Sequence, residues 1–206
     1  ILLNPDKNSE KSEAAAFYIQ EAHKAKKNEK INIVVFGALT NLASAIHKDP
    51  SIVHHIRLYY CGLRYDQKMK VWNKNETNVR YDLDALDLLL NTNELEMNIL
   101  PADLSEKFEI KRVEINRMLV GKGEPWNFLL SRIQGSYTSQ NPLILKEVGM
   151  IESLINPKYR KISTVNTPPE NYRRKLSVLS YINIHMMKMS CINAFKDEIN
   201  KTKRDD

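Results

Sequence analysis

The chain has 206 residues, of which 42% are hydrophobic, and its 31 Lys and Arg against 25 Asp and Glu give a formal net charge of +6. This length suits one domain, or one domain with a small appendage, and the hydrophobic content is too high for a disordered chain. No apolar run approaches the roughly 20 residues that span a bilayer, and two cysteines are too few for a disulfide scaffold.

The excess of positive charge lies in the last quarter of the chain. Residues 1–156 carry 20 basic and 20 acidic side chains, whereas residues 157–206 carry 11 and 5. Two short clusters hold much of it: Lys158, Arg160 and Lys161, then Arg173, Arg174 and Lys175. A basic tail can bind nucleic acid, but no aromatic or glycine-rich reading motif accompanies this one. We therefore interpret it as a solvated basic surface and regard nucleic-acid binding as the weaker alternative.

Helices and strands alternate in the first half of the chain. Residue spacing predicts a helix over 9–27, a strand over 31–36, a helix over 39–48, a strand over 57–61, a polar loop over 63–80, a helix that begins at an Asp82 cap, and a strand over 95–100. This alternation predicts an α/β fold with a mostly parallel sheet covered by helices.

The second half is predicted to be mostly helical. Residues 110–155 show helical spacing with a break at 121–125, residues 159–181 contain two weak strand candidates, and a last helix covers 183–200. No repeat or low-complexity linker marks a boundary. We therefore expect a single domain over 1–206, with an α/β core portion over 1–105 and a mostly helical portion over 106–206.

Polar residues follow the predicted strands, where ligands bind in parallel sheets. The segments are residues 36–41, Cys61-Gly62 with the loop that carries Asn73, Asn75, Glu76 and Asn78, and residues 101–103. A carboxylate beside several amides can bind the vicinal hydroxyls of a sugar. Asn is also frequent in ordinary turns. Composition alone therefore does not decide whether this loop binds a ligand or is an ordinary turn.

Two segments of the chain are similar to signatures of the inosine/uridine-preferring nucleoside hydrolases. The stretch GALTNLA at residues 37–43, followed by DPSIV at 49–53, resembles the first signature, and ETNVRYDLDA at 76–85 resembles the second. Residues 145–157 look like a degraded form of a third segment. On this resemblance the chain is identified as a member of that family.

The resemblance implies an activity and its partners. Members of the family hydrolyse the N-glycosidic bond of a nucleoside to free base and ribose, which is a reaction of purine and pyrimidine salvage, through a transition state that resembles an oxocarbenium ion. A bound Ca²⁺ holds the ribose hydroxyls and activates the attacking water. We expect a nucleoside or another ribose-containing small molecule as the ligand, a homo-oligomer, and no membrane partner. The compartment stays open, with the cytoplasm as the default.

Five residues carry over as contacts of the sugar. Glu76 and Asn78 match the Glu and Asn that bond ribose hydroxyls, and Asn73 or Asn75 matches a further Asn ahead of them. Tyr60 stands where the family often has Met, and the aromatic ring is expected to narrow the pocket.

Two residues carry over as calcium ligands. Phe36 matches a position whose main-chain carbonyl binds the ion, and Glu147 aligns with a metal-binding Asp. Lys146, the neighbour of Glu147, adds a cation that would weaken metal binding by like-charge repulsion.

The family's acidic cluster D-x-x-x-D-D, which supplies two calcium ligands and the general base, does not occur in this sequence. We therefore assign no catalytic residue and expect the chain to lack the first third of the family fold. We also expect the isolated chain to be inactive and prone to self-association. The alternative is a non-catalytic relative that binds ribosides or related sugars.

Overall fold

A computed structural model of the chain describes residues 12–26, 29–135 and 142–202. The chain divides into two compact units, one formed by residues 1–103 and 161–181 and the other by residues 104–160 and 182–206. The predicted boundary at residue 105 stays a prediction. No helix among the described residues is both long and apolar enough to cross a membrane.

The first unit is an α/β structure around a five-stranded sheet. Its elements are α1 (Glu13–Lys24), β1 (Ile31–Val35), α2 (Thr40–Lys48), a 3₁₀ helix (Pro50–His55), β2 (Ile56–Cys61), β3 (Arg64–Asp66), β4 (Val71–Asn73), α3 (Thr77–Tyr81), α4 (Leu83–Asn91), β5 (Glu96–Leu100), α5 (Ala102–Ser105), β8 (Arg160–Asn166) and β9 (Lys175–Ile182); the last residues of α5 and β9 and the first of β8 belong to the other unit. The strand order is β1-β2-β5-β9-β8. The pairs β1–β2, β2–β5 and β5–β9 are all parallel, which confirms the predicted fold class.

Burial explains why β2 lies inside the sheet. Five of its six residues are buried, and the last four of these, from Leu58 to Cys61, are consecutive, which is typical of a strand covered on both faces. Helices α1, α2 and α4 turn their apolar residues towards the same core, among them Ala22, Leu42 and Leu86. The helices therefore cover the sheet because their apolar side chains have no other surface to pack on.

Helix starts follow the predicted cap chemistry. The Asp82 carboxylate accepts a hydrogen bond from the Ala85 amide at 3.0 Å, so the predicted cap of α4 is confirmed. The hydroxyl of Ser12 caps α1 in the same way, through the Ala15 amide at 3.2 Å. The predicted first helix began at residue 9, but residues 9–11 and 27 lie outside the described residues.

The polar loop predicted over 63–80 contains a short antiparallel hairpin, β3–β4. Three-residue strands are too short for a period of two to show in a sequence, so the pattern gave no signal. The hairpin is held in place by Trp72, whose Nε1 donates to the Asn166 carbonyl at 2.8 Å, and by Gln67, whose amide donates to the Ser180 carbonyl at 2.6 Å. The loop is therefore an ordered part of the first unit.

The second unit contains β6 (Glu109–Ile110), α6 (Arg112–Leu119), α7 (Trp126–Gly135), β7 (Leu143–Ile144), α8 (Lys146–Ile155), a second 3₁₀ helix (Pro157–Tyr159) and α9 (Ile184–Thr202). The predicted break at 121–125 separates α6 from α7. Asn156 links α8 to α9, because its amide donates to Glu152 at 2.9 Å and to Ser190 at 3.1 Å.

Arg174 fastens the β8–β9 hairpin to α4. Its guanidinium donates to the carbonyls of Leu90 at 2.8 Å, Leu95 at 2.7 Å and Leu89 at 3.0 Å. Burial lowers the pKa of this guanidinium. A cation at the carboxyl end of a helix is favourable because the last carbonyls there lack intrahelical partners.

Replacing Arg174 by Met should lower the free energy of unfolding by about 2–3 kcal/mol, because three carbonyl oxygens lose a charged donor. The matched control is Arg173→Met, since the Arg173 side chain is exposed and has no hydrogen bond to other described residues. Urea unfolding of both variants measures the difference. Equal losses in the two variants would contradict this role of Arg174.

Candidate functional site

The carboxyl ends of β1, β2 and β5 meet at one edge of the sheet, because these strands are parallel neighbours. Val35 pairs with Tyr60 and Cys61 pairs with Leu100. Phe36, which follows Val35 directly, therefore emerges beside the end of β2. This edge is where the sequence predicted ligand contacts.

Glu76 and Asn78 lie at this edge, next to the end of β2. The Asn78 amide Nδ2 donates to the main-chain carbonyl of Cys61 at 3.2 Å. The Glu76 carboxylate is buried and caps α3, where it accepts hydrogen bonds from the amides of Asn78 at 2.8 Å and Val79 at 3.3 Å. The cap fixes the start of α3, and with it the position of Asn78.

Tyr60 completes this group of side chains. It is fully buried, and its hydroxyl has no hydrogen-bond partner among the described residues. Burial, followed by the nearby charge of Glu76, raises the pKa of Tyr60 far above its usual value, so the phenol stays neutral. The structure thus brings together three of the residues that the sequence selected: Tyr60, Glu76 and Asn78.

Gly62 is required by the position of the Tyr60 ring. A Cβ atom at residue 62 would lie 2.5 Å from Cζ of Tyr60 and 2.6 Å from its hydroxyl oxygen. No side chain fits at this distance, so the ring and the glycine depend on each other. Sequence reasoning missed this dependence, although an aromatic two residues before a strand-end glycine was its signal.

Asn73 and Asn75 form a turn in the structure. The Asn73 side-chain oxygen accepts a hydrogen bond from the Asn75 amide at 2.7 Å, which is the ordinary turn chemistry of Asn. Both residues are exposed. Their contact with a sugar stays a prediction.

Asp103, in the third strand-end segment, holds the β3–β4 hairpin. One of its oxygens accepts a hydrogen bond from the Arg64 guanidinium at 2.8 Å, and the other accepts one from the Tyr65 amide at 3.0 Å. This carboxylate therefore anchors the loop that follows β2.

The signature segments are joined to one another by their polar side chains. The Thr40 hydroxyl donates to Asp82 at 2.5 Å, so the first signature is bonded to the second. Asn41 accepts a hydrogen bond from the Ser12 hydroxyl at 2.9 Å. Asp49 caps the 3₁₀ helix through Ser51, and the hydrogen bonds from Ser51 and His23 lower the pKa of Asp49. Part of each signature therefore serves the scaffold.

The described residues do not assemble a calcium site. Phe36 lies after β1, whereas Glu147 lies in the first turn of α8 in the other unit. No group of three or more His, Cys, Asp or Glu side chains in the described ranges could hold a metal ion. Ca²⁺ takes six to eight oxygen ligands, and the two predicted ligands fall far short of that number.

The sequence profile of the inosine-uridine preferring nucleoside hydrolases matches residues 2–163. The chain belongs to this family. A search of curated proteins found no match.

Solved structures of nucleoside hydrolases, and one of a type III effector, share the fold of this family member. The inosine-uridine preferring nucleoside hydrolase of Bacillus anthracis is 18% identical with a TM-score of 0.67, and the match covers 90% of this chain and 65% of that one. A purine-preferring ribonucleoside hydrolase of Gardnerella vaginalis is 14% identical with a TM-score of 0.66, over 92% and 67% of the two chains. The type III effector XopQ, solved with adenosine diphosphate ribose, is 10% identical with a TM-score of 0.66, over 91% and 65%. The chain thus spans about two thirds of the length of these structures.

Replacing Tyr60 by Phe should leave the free energy of unfolding unchanged or raise it by about 1 kcal/mol, because a buried hydroxyl without a partner is costly. The matched variant is Tyr59→Phe, which removes a hydroxyl that interacts with the Arg57 side chain and should cost a few tenths of a kcal/mol or more. Thermal and urea unfolding measure both. A loss above about 1 kcal/mol in Tyr60→Phe would contradict this description of the hydroxyl.

Proposed function

We propose that the protein hydrolyses the N-glycosidic bond of a nucleoside to free base and ribose, and that this chain binds the ribose at the carboxyl end of β2. The observation that carries the proposal is that Glu76 and Asn78, which match sugar-binding residues of the family, lie together at this end. The family profile over residues 2–163 supports the reaction class.

The side chains are suited to hold a sugar. Each carboxylate oxygen of Glu76 has two lone pairs, so the group can cap α3 and still accept a hydrogen bond from a ribose hydroxyl. The Nδ2 of Asn78 donates to the Cys61 carbonyl. In this proposal its Oδ1 accepts a hydrogen bond from the ligand. Adjacent acceptors on one short helix suit two vicinal hydroxyls.

The buried carboxylate would also assist the departure of the base. The transition state of glycosidic cleavage carries positive charge on the sugar ring. A negative side chain in a site of low dielectric stabilises such charge more than it would in water. No step is assigned to calcium, since the described residues do not form its ligand set.

Tyr60 sets the width of this site in the proposal. Its ring fills the space against Gly62, and the charge of Glu76 is near enough to contribute, after burial, to the raised pKa of Tyr60. We therefore expect the site to favour an unsubstituted ribose over a bulkier sugar.

Calorimetric titration of the 206-residue chain with inosine, together with an assay of ribose release, tests the proposal. Glu76→Gln and Asn78→Ala should each weaken inosine binding about tenfold or more, because each removes a hydrogen bond to the sugar. Glu76→Gln keeps an oxygen acceptor for the α3 cap, so the fold should persist. Asn200→Ala, at an exposed position of α9, is the matched control and should bind like the unchanged chain.

The two measurements separate the hypotheses. Inosine binding that survives both substitutions would exclude Glu76 and Asn78 as sugar contacts. Binding without release of ribose is expected of a chain that lacks the D-x-x-x-D-D cluster, so the alternative, a riboside-binding relative, is favoured only when that binding is also independent of Ca²⁺.

A further inference from the structure

A basic groove lies in the first unit, between the β3–β4 hairpin and the β8–β9 strands. Its volume is about 540 Å³, and three cationic side chains line it: Lys70, Arg173 and Lys175. The aromatic side chains of Tyr65 and Trp72 line the same groove. None of the site residues Tyr60, Glu76 and Asn78 belongs to it, so the groove is distinct from the candidate sugar site.

The walls of the groove are held in place by hydrogen bonds. Trp72 is fixed by the bond from its Nε1 to the Asn166 carbonyl, and its ring lies 4.5 Å from that of Tyr65, centroid to centroid. On the opposite wall the Thr167 hydroxyl donates to the Tyr172 carbonyl at 2.8 Å. A ligand would therefore meet a preformed surface.

The charge of the groove is uncompensated. No Asp or Glu lines it, and the charged groups of Lys70, Arg173 and Lys175 have no ion pair or hydrogen bond to any residue in the described ranges. Lys74 differs, because its ammonium pairs with Asp87 at 2.6 Å and Glu170 at 2.8 Å. Uncompensated cations close to one another repel, and an anionic ligand would relieve that repulsion.

The structure also divides the basic cluster that the sequence showed at residues 173–175. Arg174 points inward and donates hydrogen bonds to carbonyls of α4, whereas Arg173 and Lys175 line the groove. Lys70 reaches the same groove from the β3–β4 turn, where its φ angle of 56° places it in the left-handed region. Cations distant in sequence are thus gathered in one place.

We propose that this groove binds a phosphorylated small molecule. Its volume falls within the range of small-molecule sites, roughly 300–1,000 Å³. Lys and Arg are the residues that bind phosphate oxygens, and Arg173 can do so with two parallel hydrogen bonds. The apolar faces of Tyr65 and Trp72 offer a surface for the uncharged part of the ligand.

Calorimetric titration of the 206-residue chain with ADP and with pyrophosphate, at 50 and 200 mM salt, tests the proposal. We expect saturable binding of one ADP per chain that weakens at the higher salt. The triple variant Lys70→Gln, Arg173→Gln and Lys175→Gln should bind at least tenfold more weakly. Arg173→Lys should lose less affinity than the triple variant, because Lys keeps the charge but cannot form two parallel hydrogen bonds to a phosphate.

The matched control is a second triple variant, Lys68→Gln, Lys158→Gln and Lys161→Gln, which removes the same charge outside the groove. Its affinity for ADP should be unchanged. All six side chains are exposed, so thermal unfolding should show both triple variants folded. The absence of saturable binding in the unchanged chain would overturn the proposal. An equal loss of ADP affinity in the two triple variants would also overturn it, because it would mean that ADP is attracted only by the net charge of the chain.

Discussion

A buried carboxylate that accepts two backbone amides sets the geometry of the sheet edge in this protein. Glu76 caps α3 through the amides of Asn78 and Val79, and the cap determines where the Asn78 side chain begins. Asn78 in turn is bonded to the last residue of β2, Cys61. If this carboxylate were lost, the amides of Asn78 and Val79 at the start of α3 would lose their hydrogen-bond acceptor, and Asn78 would be held at the strand only by its own bond to Cys61.

Side chains of the family signatures also have more than one structural role. Thr40 and Asp82 join the first signature to the second, and Asp82 also caps α4. One short polar side chain therefore closes a helix and links two segments that lie 42 residues apart in the sequence. Such residues persist in a fold for structural reasons, and their presence alone does not establish that a chain is catalytic.

Much of the fold could be predicted from the sequence, because long elements repeat their apolar residues with a clear period. The strands β1, β2 and β5 and the helices α1, α2 and α4 were all expected near their observed positions. The β3–β4 hairpin was not, since strands of three residues carry no detectable period and its anchors, such as Asn166 and Ser180, are about a hundred residues away. Long-range partners of this kind leave no local pattern.

The site could be predicted in part. Resemblance to the family selected Glu76, Asn78 and Tyr60, and the structure brings them together. Two features depend on three-dimensional packing and could not be predicted. One is the close approach of the Tyr60 ring to Gly62. The other is that Arg174 points inward while Arg173 and Lys175 line the groove. The predicted calcium ligands Phe36 and Glu147 belong to different units, and their role as ligands stays a prediction.

Hydrogen–deuterium exchange of the chain with and without inosine tests the central claim most directly, since inosine is uncharged and should not engage the basic groove. The account predicts slower exchange at residues 60–63 and 76–82 when inosine binds, with residues 112–135 unchanged and the effect absent in Glu76→Gln. Unchanged exchange at 76–82 under conditions where inosine binds would contradict a sugar site at the end of β2.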